Sequence, residues 1–217
     1  MIRLGVVSYA QDERRAIVDT MREVGPDAPT RCDGWTVRDL AAHLVVRERR
    51  IDAAPGILLT PLAGYTERVQ RSVAADTDWN VLLAELASGP PFYSPLKLVD
   101  RWANLAEMFI HHEDVLRGGA DPDADWEPRP LDPGLQDALR TPLKSMGKMT
   151  LRSAPARVTL RTVDGRTEVS GGQGAPVTVA GTAGELLLFA TGRRPVAVTF
   201  DGAEDDIAAV KAAVHGF

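Results

Sequence analysis

Three residues of this chain could together bind a divalent metal ion. Glu107 and His111 are four positions apart, so on an α-helix they project from the same face, one turn apart. That face is otherwise apolar, and burying a carboxylate and an imidazole on it costs roughly several kcal/mol unless a partner compensates. His43 lies on a separate predicted helix. Two ligands from one helix and one from another are a common way to build a metal site in a helical bundle.

Ligands of the His and Glu type leave one coordination position open when only three are present, which is typical of catalytic metal sites. These ligands suit zinc, nickel and iron alike, so the residues alone do not select the metal. The E-x-x-x-H spacing also arises often by chance. In the alternative interpretation, Glu107 and His111 pair with nearby arginines, and His43 is a core histidine with its own hydrogen bonds.

Residues beside these positions have weaker claims to a role. His112 lies about 100° around the helix from His111, so we do not expect it to be a ligand. Asp114 could orient the His111 imidazole, or it could pair with Arg117 along the helix. Cys32 precedes a helix N-terminus, where a thiolate would be stabilised. No histidine lies near it in sequence to act as a base, so we interpret Cys32 as a turn residue.

Helix start and stop signals recur over the first 150 residues. Thr36 and Asp39 form a capping box that fixes the start of the helix carrying His43. Ser94-Pro95 predicts the start of the helix that carries Glu107 and His111. Ser8 with Gln11, a capping-box pattern, and Asp132-Pro133 predict two further helix starts. The predicted helices cover residues 8–24, 36–54, 62–87 with a break near 76–78, 94–117 and 133–146.

The pattern changes after residue 150 to short strands with two helices. Asp164-Gly165 between two β-branched runs predicts a hairpin, and residues 177–179 and 196–200 predict two more strands. Thr182 caps a short buried helix, and a last helix covers 203–214. The chain is therefore predicted to be α+β, with a helical domain at 1–150 and a small α+β domain at 151–217.

Composition excludes several classes of partner. The 217 residues are 44% hydrophobic and 25% charged, with a net charge of −5 and no basic stripe, so we expect no nucleic-acid partner. No segment approaches the ~20 apolar residues that span a bilayer, so we expect no membrane partner. A single cysteine fits a reducing cytoplasm. The oligomeric state stays open.

Two blocks of sequence carry a resemblance to a known family. Residues 32–44 (CDGWTVRDLAAHL) and 107–117 (EMFIHHEDVLR) resemble the actinobacterial mycothiol-dependent maleylpyruvate isomerases. The resemblance implies a DinB-like four-helix bundle followed by a small sterol-carrier-like domain. It also implies that His43, Glu107 and His111 hold zinc. The second block looks closer to a subgroup of metal-binding proteins without an assigned substrate.

The resemblance further implies that the open zinc position binds the thiolate of mycothiol. Coordination favours the deprotonated thiol, which then attacks a small electrophilic substrate. The implied activity is isomerisation or S-transfer, and the alternative is a non-catalytic metal-binding protein of the same fold. Arg193 and Arg194, after Gly192, resemble the point where the family brings an arginine from its C-terminal domain towards the active site, and Arg193 is the predicted catalytic residue. Arg47, one turn beyond His43, could reach an anionic substrate or could be a solvated rim residue.

Overall fold

The computed structural model describes residues 2–57, 59–94 and 101–213. Its contacts divide the chain into two compact units, Met1–Gly119 and Ala120–Phe217. The first unit is helical, and the second combines helices with a four-stranded sheet. The predicted α+β class is therefore confirmed. Within the described ranges, no helix is long and apolar enough to cross a membrane.

The first unit is built from helices that pack in pairs around an aliphatic core. The described helices are α1 (Ile2–Val24), α2 (Val37–Arg49), α3 (Thr60–Asp76), α4 (Trp79–Ser88) and α5 (Arg101–Leu116). Helix α1 packs against α5 and α4, while α2 packs against α3 and α4. Fully buried side chains such as Ile17, Leu40 and Leu86 form the core between them. Each such side chain stabilises the unit by about 1.5–3 kcal/mol.

One predicted helix start and one predicted helix break in this unit are confirmed. The Thr36 hydroxyl accepts the N–H of Asp39, and the Asp39 carboxylate accepts the N–H of Thr36, so both halves of the capping box at α2 are present. Asp78 separates α3 from α4 and caps α4 by accepting the N–H groups of Asn80 and Val81. The direction of α2, and with it the position of His43, is thus fixed by a local signal.

Other helix limits differ from the prediction. Helix α1 begins at Ile2, so the predicted start at Ser8 was wrong. No proline precedes Ser8, and a capping-type pair does not end a helix that the upstream residues can propagate. Helix α2 ends at Arg49, earlier than the predicted Ala54, where a short 3₁₀ turn begins instead. The predicted start of α5 at Ser94-Pro95 falls largely on residues 95–100, outside the described residues.

The second unit begins with α6 (Pro133–Thr150), which Asp132 caps as predicted. The other elements are β1 (Arg157–Thr162), β2 (Glu168–Gly171), β3 (Pro176–Gly181), α7 (Ala183–Ala190), β4 (Val198–Asp201) and α8 (Glu204–Ala213). The strand order is β2-β1-β3-β4, with β1 parallel to β3 and the other pairs antiparallel. The predicted hairpin joins β1 to β2, and Gly165 in its turn has φ +68°.

Helix α6 packs against α7 and β2, within the second unit. Its buried face carries Leu135, Leu139 and Leu143. The sequence pattern instead groups this helix with the preceding bundle, because a change from helical to strand periodicity is the signal that sequence offers. The contacts divide the chain between Gly119 and Ala120. The domain limit near residue 150 stays a prediction.

Candidate metal centre

Helix α5 is buried on nearly all sides between Leu105 and Val115, although this stretch is rich in ionisable residues. From Leu105 to Val115, every side chain but that of Glu107 is buried, including His111, His112 and Asp114. Glu107 keeps 26% of its side chain exposed. Since buried polar groups require hydrogen-bond or ionic partners, each of these side chains must find one inside the protein.

The three predicted metal ligands converge. Oε1 of Glu107 lies 3.4 Å from Nε2 of His111 and 3.7 Å from Nε2 of His43. The two imidazole rings meet edge to face, with centroids 5.5 Å apart. Nitrogen and oxygen ligands about 2.1 Å from one tetrahedral ion would be about 3.4 Å apart. The two separations from Glu107 match this value closely, and the ligand atoms of the three residues all lie within 4.8 Å of one another. Metal binding itself stays a prediction.

The far side of each imidazole is held by an acceptor oxygen. Nδ1 of His111 is 2.9 Å from Oδ2 of Asp114, and Nδ1 of His43 is 3.3 Å from Oε1 of Gln70. An acceptor at Nδ1 keeps the proton on that nitrogen and leaves the Nε2 lone pair free for a metal. Asp114 thus contacts His111, which is one of the two roles that the sequence left open for it. The guanidinium of Arg117, its other possible partner, donates to Glu113. Gln70 carries no sequence signal for this contact.

Glu107 and His111 shift each other's pKa in opposite directions. Burial alone would raise the pKa of Glu107, but contacts with His111, His43 and Arg47 hold this pKa well below its usual range. Burial alone would lower the pKa of His111, but Asp114, Cys32 and Glu107 together raise this pKa well above its usual range. Without metal, the pair is therefore a carboxylate beside an imidazolium.

Arg47 adds a second positive group at the same carboxylate. Its Nε lies 3.3 Å from Oε1 of Glu107, and its Nη1 donates to Oδ1 of Asn104 over 3.2 Å. Part of the alternative sequence interpretation is thus present, because an arginine does pair with Glu107. His111, however, has a carboxylate on each side rather than an arginine.

Cys32 lies against the centre, which its interpretation as a turn residue did not foresee. Its thiol donates to Oδ2 of Asp114 over 3.3 Å, and Sγ is 3.9 Å from Nδ1 of His111. These three residues form a second compact set of metal-ligand types. The 2.9 Å separation of His111 and Asp114 within it is that of a hydrogen bond, so we interpret this set as the support of His111.

His112 faces away from these residues. Its Nδ1 is 3.1 Å from Oε2 of Glu13, and its Nε2 is 2.9 Å from Oγ1 of Thr20, both on α1. Neither nitrogen belongs to the two compact sets found among the described residues. Successive residues of a helix point about 100° apart, so the two neighbouring histidines face different surroundings. His111 is a candidate metal ligand, and His112 contacts another helix.

The sequence model of one family matches most of the helical region. This family is described as the mycothiol maleylpyruvate isomerase N-terminal domain, and the match covers residues 8–141. The chain belongs to this family. Both sequence blocks that suggested the resemblance lie inside the matched range, together with His43, Glu107 and His111. Among curated proteins, none matches the chain.

Solved structures extend the likeness to the whole fold of this maleylpyruvate isomerase family member. A crystal structure of the mycothiol-dependent maleylpyruvate isomerase aligns with a TM-score of 0.61 at 16% identity, covering 93% of each chain. A histidine-to-alanine mutant of that enzyme aligns with a TM-score of 0.62 at 15% identity, also over 93% of each chain. At such identity the likeness shows the fold and leaves the chemistry to the residues of this chain.

Arg193, the predicted catalytic arginine, lies in the second unit of this family member. Its Nη1 donates to the carbonyl of Thr191 over 2.7 Å, just after α7. Together with Arg194 it lines a cavity of about 210 Å³ whose wall includes Phe189, Phe200 and Lys211. Arg194 pairs with Asp123 at the same cavity. A catalytic role for Arg193 stays a prediction.

Proposed function

We propose that this chain is a divalent-metal enzyme that uses a low-molecular-weight thiol such as mycothiol. It would isomerise a small electrophilic substrate or join the thiol to it through a carbon–sulfur bond. The proposal rests on one observation. Oε1 of Glu107 lies 3.4 Å from Nε2 of His111 and 3.7 Å from Nε2 of His43. When bound there, a divalent cation such as zinc lowers the pKa of a coordinated thiol and so supplies a thiolate nucleophile.

The residues around this centre fit a bound cation. His43, Glu107 and His111 would hold it, and three protein ligands leave a position open for a thiol. Asp114 and Gln70 orient the two imidazoles through their Nδ1 atoms. A reducing cytoplasm, consistent with the single cysteine, would keep a thiol cofactor reduced.

Arg193 is proposed as a catalytic residue, a role supported by the family resemblance rather than by a contact. Replacing Arg193 with Met should abolish or strongly reduce turnover while leaving the metal content unchanged. Arg194→Met is the matched control, because its side chain lines the same cavity and is paired with Asp123. Equal losses in both variants would contradict a specific role for Arg193.

A non-catalytic metal-binding protein of the same fold is the alternative. Closing the site with a fourth protein ligand would require Cys32 to move, because its Sγ lies 3.9 Å from Nδ1 of His111, the nitrogen on the far side of the ring from the ion. A site closed by four protein ligands is structural rather than catalytic. The two functions therefore differ in whether an external thiol can reach the metal.

Cobalt substitution separates these functions. The protein is purified without an affinity tag, its metal content is measured, and mycothiol is titrated into the cobalt-loaded form of wild type and Cys32→Ser. If the protein is a thiol-dependent enzyme, a new sulfur-to-cobalt absorption band should appear in both proteins. The band should strengthen as the pH rises, because the thiolate is the ligand. Glutathione and cysteine serve as comparison thiols. A spectrum unchanged by every thiol at millimolar concentration would leave the alternative function standing.

A further inference from the structure

One turn contacts both histidines of the candidate metal centre. It spans residues 29–36, is closed by a bridge between Pro29 and Thr36, and is called the Cys32 turn below. The ring of Trp35 lies 5.0 Å from the ring of His43, and Sγ of Cys32 lies 3.9 Å from Nδ1 of His111. The two imidazoles come from different helices, and this one turn contacts both of them.

The Cys32 turn has a defined internal structure. The N–H of Trp35 donates to the carbonyl of Cys32 over 2.9 Å. The Thr30 hydroxyl accepts the N–H of Cys32 over 3.2 Å and donates to the carbonyl of Trp35 over 2.9 Å. Backbone and hydroxyl contacts thus fix the position of Cys32 independently of its thiol.

The same turn is attached to the C-terminal part of α5. The N–H of Arg31 donates to the backbone carbonyl of Asp114 over 2.9 Å. Just beyond the helix, a Cβ placed on Gly118 would meet the carbonyl oxygen of Pro29 at 1.9 Å, so glycine permits this close approach. The backbone of the turn is therefore anchored at Asp114, the residue whose side chain holds His111.

Two side chains beside the candidate metal centre contact Oδ2 of Asp114. The thiol of Cys32 donates over 3.3 Å, and Nδ1 of His111 lies 2.9 Å away. Asp114 is 0% exposed, so water does not readily replace a lost donor. The thiol therefore fixes the orientation of the carboxylate that holds Nδ1 of His111.

We propose that Cys32 is a positioning residue of the metal centre. Its thiol fixes the carboxylate of Asp114, and that carboxylate fixes the imidazole of His111. This inference rests on the proposed function, since it concerns how a metal ligand is held. Cys32 neither coordinates the ion nor acts as a nucleophile in this arrangement.

Cobalt affinity of the full-length protein tests the proposal. Direct partners of a metal ligand typically contribute 10–100-fold in metal affinity, and Cys32 acts one contact further out. Cys32→Ala should therefore weaken cobalt binding by about threefold to tenfold and should shift the visible cobalt bands. Cys32→Ser keeps a donor at this position and should restore the affinity to within about twofold. An equal loss in the Ser variant would contradict the proposal.

A stability control and a proton signal distinguish positioning from general folding. Ile17→Val, in the core of the same unit, should cost about 0.5–1.5 kcal/mol of stability and leave cobalt affinity unchanged. In proton NMR, the His111 Nδ1–H resonance should shift in Cys32→Ala, because Asp114 loses the donor that fixes its orientation. Unchanged cobalt affinity, spectrum and proton resonance in Cys32→Ala would overturn the proposal.

Failure of the proposed function can be told apart from failure of this inference. If wild-type protein binds no metal, the proposed function fails. The Nδ1–H resonance of metal-free protein still reports on the contact between His111 and Asp114. A shift of this resonance in Cys32→Ala, and its return in Cys32→Ser, would support the positioning role, whereas an unchanged resonance in Cys32→Ala would contradict that role.

Discussion

The two candidate histidine ligands are not held equally firmly. His111 lies 2.9 Å from an ionised carboxylate, whereas His43 lies 3.3 Å from the neutral amide of Gln70. Hydrogen bonds to charged groups are about twice as strong as neutral ones. Asp114→Asn should therefore weaken metal binding by about 10–100-fold, and Gln70→Leu by less than about tenfold. Competition of each variant with a chelator measures both values; a larger effect of Gln70→Leu would contradict this ranking.

Adjacent histidines on α5 provide a matched pair of variants. His111→Ala should release the metal, because two remaining ligands bind an ion weakly. His112→Ala should keep the metal but lower stability by about 1–3 kcal/mol, because Glu13 is left buried without that partner. Metal content per folded chain and urea unfolding measure these effects separately. Metal retained in His111→Ala would contradict the proposed site.

Metal binding should weaken as the pH falls, beginning above pH 6.5. The metal-free protein holds a proton on His111, since Asp114, Cys32 and Glu107 raise its pKa well above the ordinary 6.5 against the opposing effect of burial. A metal must displace that proton, so affinity should fall by up to about tenfold per pH unit below this pKa. Cobalt titrations at several pH values between 6 and 9 measure the slope. An affinity independent of pH would contradict the charge assignment.

The stability of the metal-free protein should depend on pH in the opposite direction, so that it falls as the pH rises. A pKa raised in the folded state means that folding takes up a proton, so the contribution of His111 is fully present below pH 6.5. It is lost as the pH rises through the folded-state pKa. The unfolding temperature of the metal-free protein should therefore decline above pH 6.5 by more in wild type than in His111→Ala. Parallel curves for the two proteins would contradict this linkage.

The sequence pointed to the three candidate metal ligands, but it did not point to Cys32 and Gln70, which contact the two histidines. Helical periodicity brought Glu107 and His111 to one face, and the two family blocks added His43. Cys32 was set aside because no histidine is near it in sequence, although His111, 79 positions away, meets it in space. Gln70 reaches His43 only through the packing of α2 on α3. Contacts made by tertiary packing leave no local pattern to read.

Local capping chemistry correctly predicted the starts of α2 and α6. Thr36 and Asp132 each accept backbone N–H groups at the first turn of a helix, as their sequence contexts predict. Ser8 failed as a start because the residues before it continue the helix. Capping patterns thus show where a helix can begin, while the upstream chain decides whether it does.

Arg140 on α6 attaches this helix to the β1–β2 hairpin, and its effect on stability should depend on pH. Its guanidinium donates to Thr162, Asp164 and Thr167, and it pairs with Asp137. Contacts with Arg140 lower the pKa of Asp164 and of Asp137 from 3.8. The stabilisation is therefore present above about pH 4 and is lost as the pH falls through the folded-state values.

Arg140→Met should lower the free energy of unfolding by about 1–2 kcal/mol at neutral pH. The difference from wild type should shrink as the pH falls from about 5 towards 2, because the carboxylates become protonated in both proteins. Arg166→Met is the control, since Arg166 contacts Asp137 from an exposed position and should change stability by less than about 0.5 kcal/mol. Urea unfolding across this pH range measures both, and a constant difference would contradict the ionic contribution.

At the scale of the whole molecule, all three candidate metal ligands belong to the first compact unit. Residues 1–119 contain α1 to α5, both imidazole supports and the Cys32 turn. Helix α6 lies in the second unit, where its apolar face is covered by α7 and β2. The sequence pattern instead places the domain limit near residue 150, so the two divisions predict different behaviour for truncated chains.

A fragment of residues 1–119 should fold and bind cobalt with an affinity close to that of the full chain, because it holds every residue assigned to the centre. A fragment of residues 1–150 adds α6 without α7 and β2, which uncovers the face formed by Leu135, Leu139 and Leu143. Exposing such side chains costs about 1.5–3 kcal/mol each and favours self-association. Size-exclusion chromatography and cobalt titration compare the fragments. If only the longer fragment is monomeric and binds cobalt, the domain limit lies near residue 150.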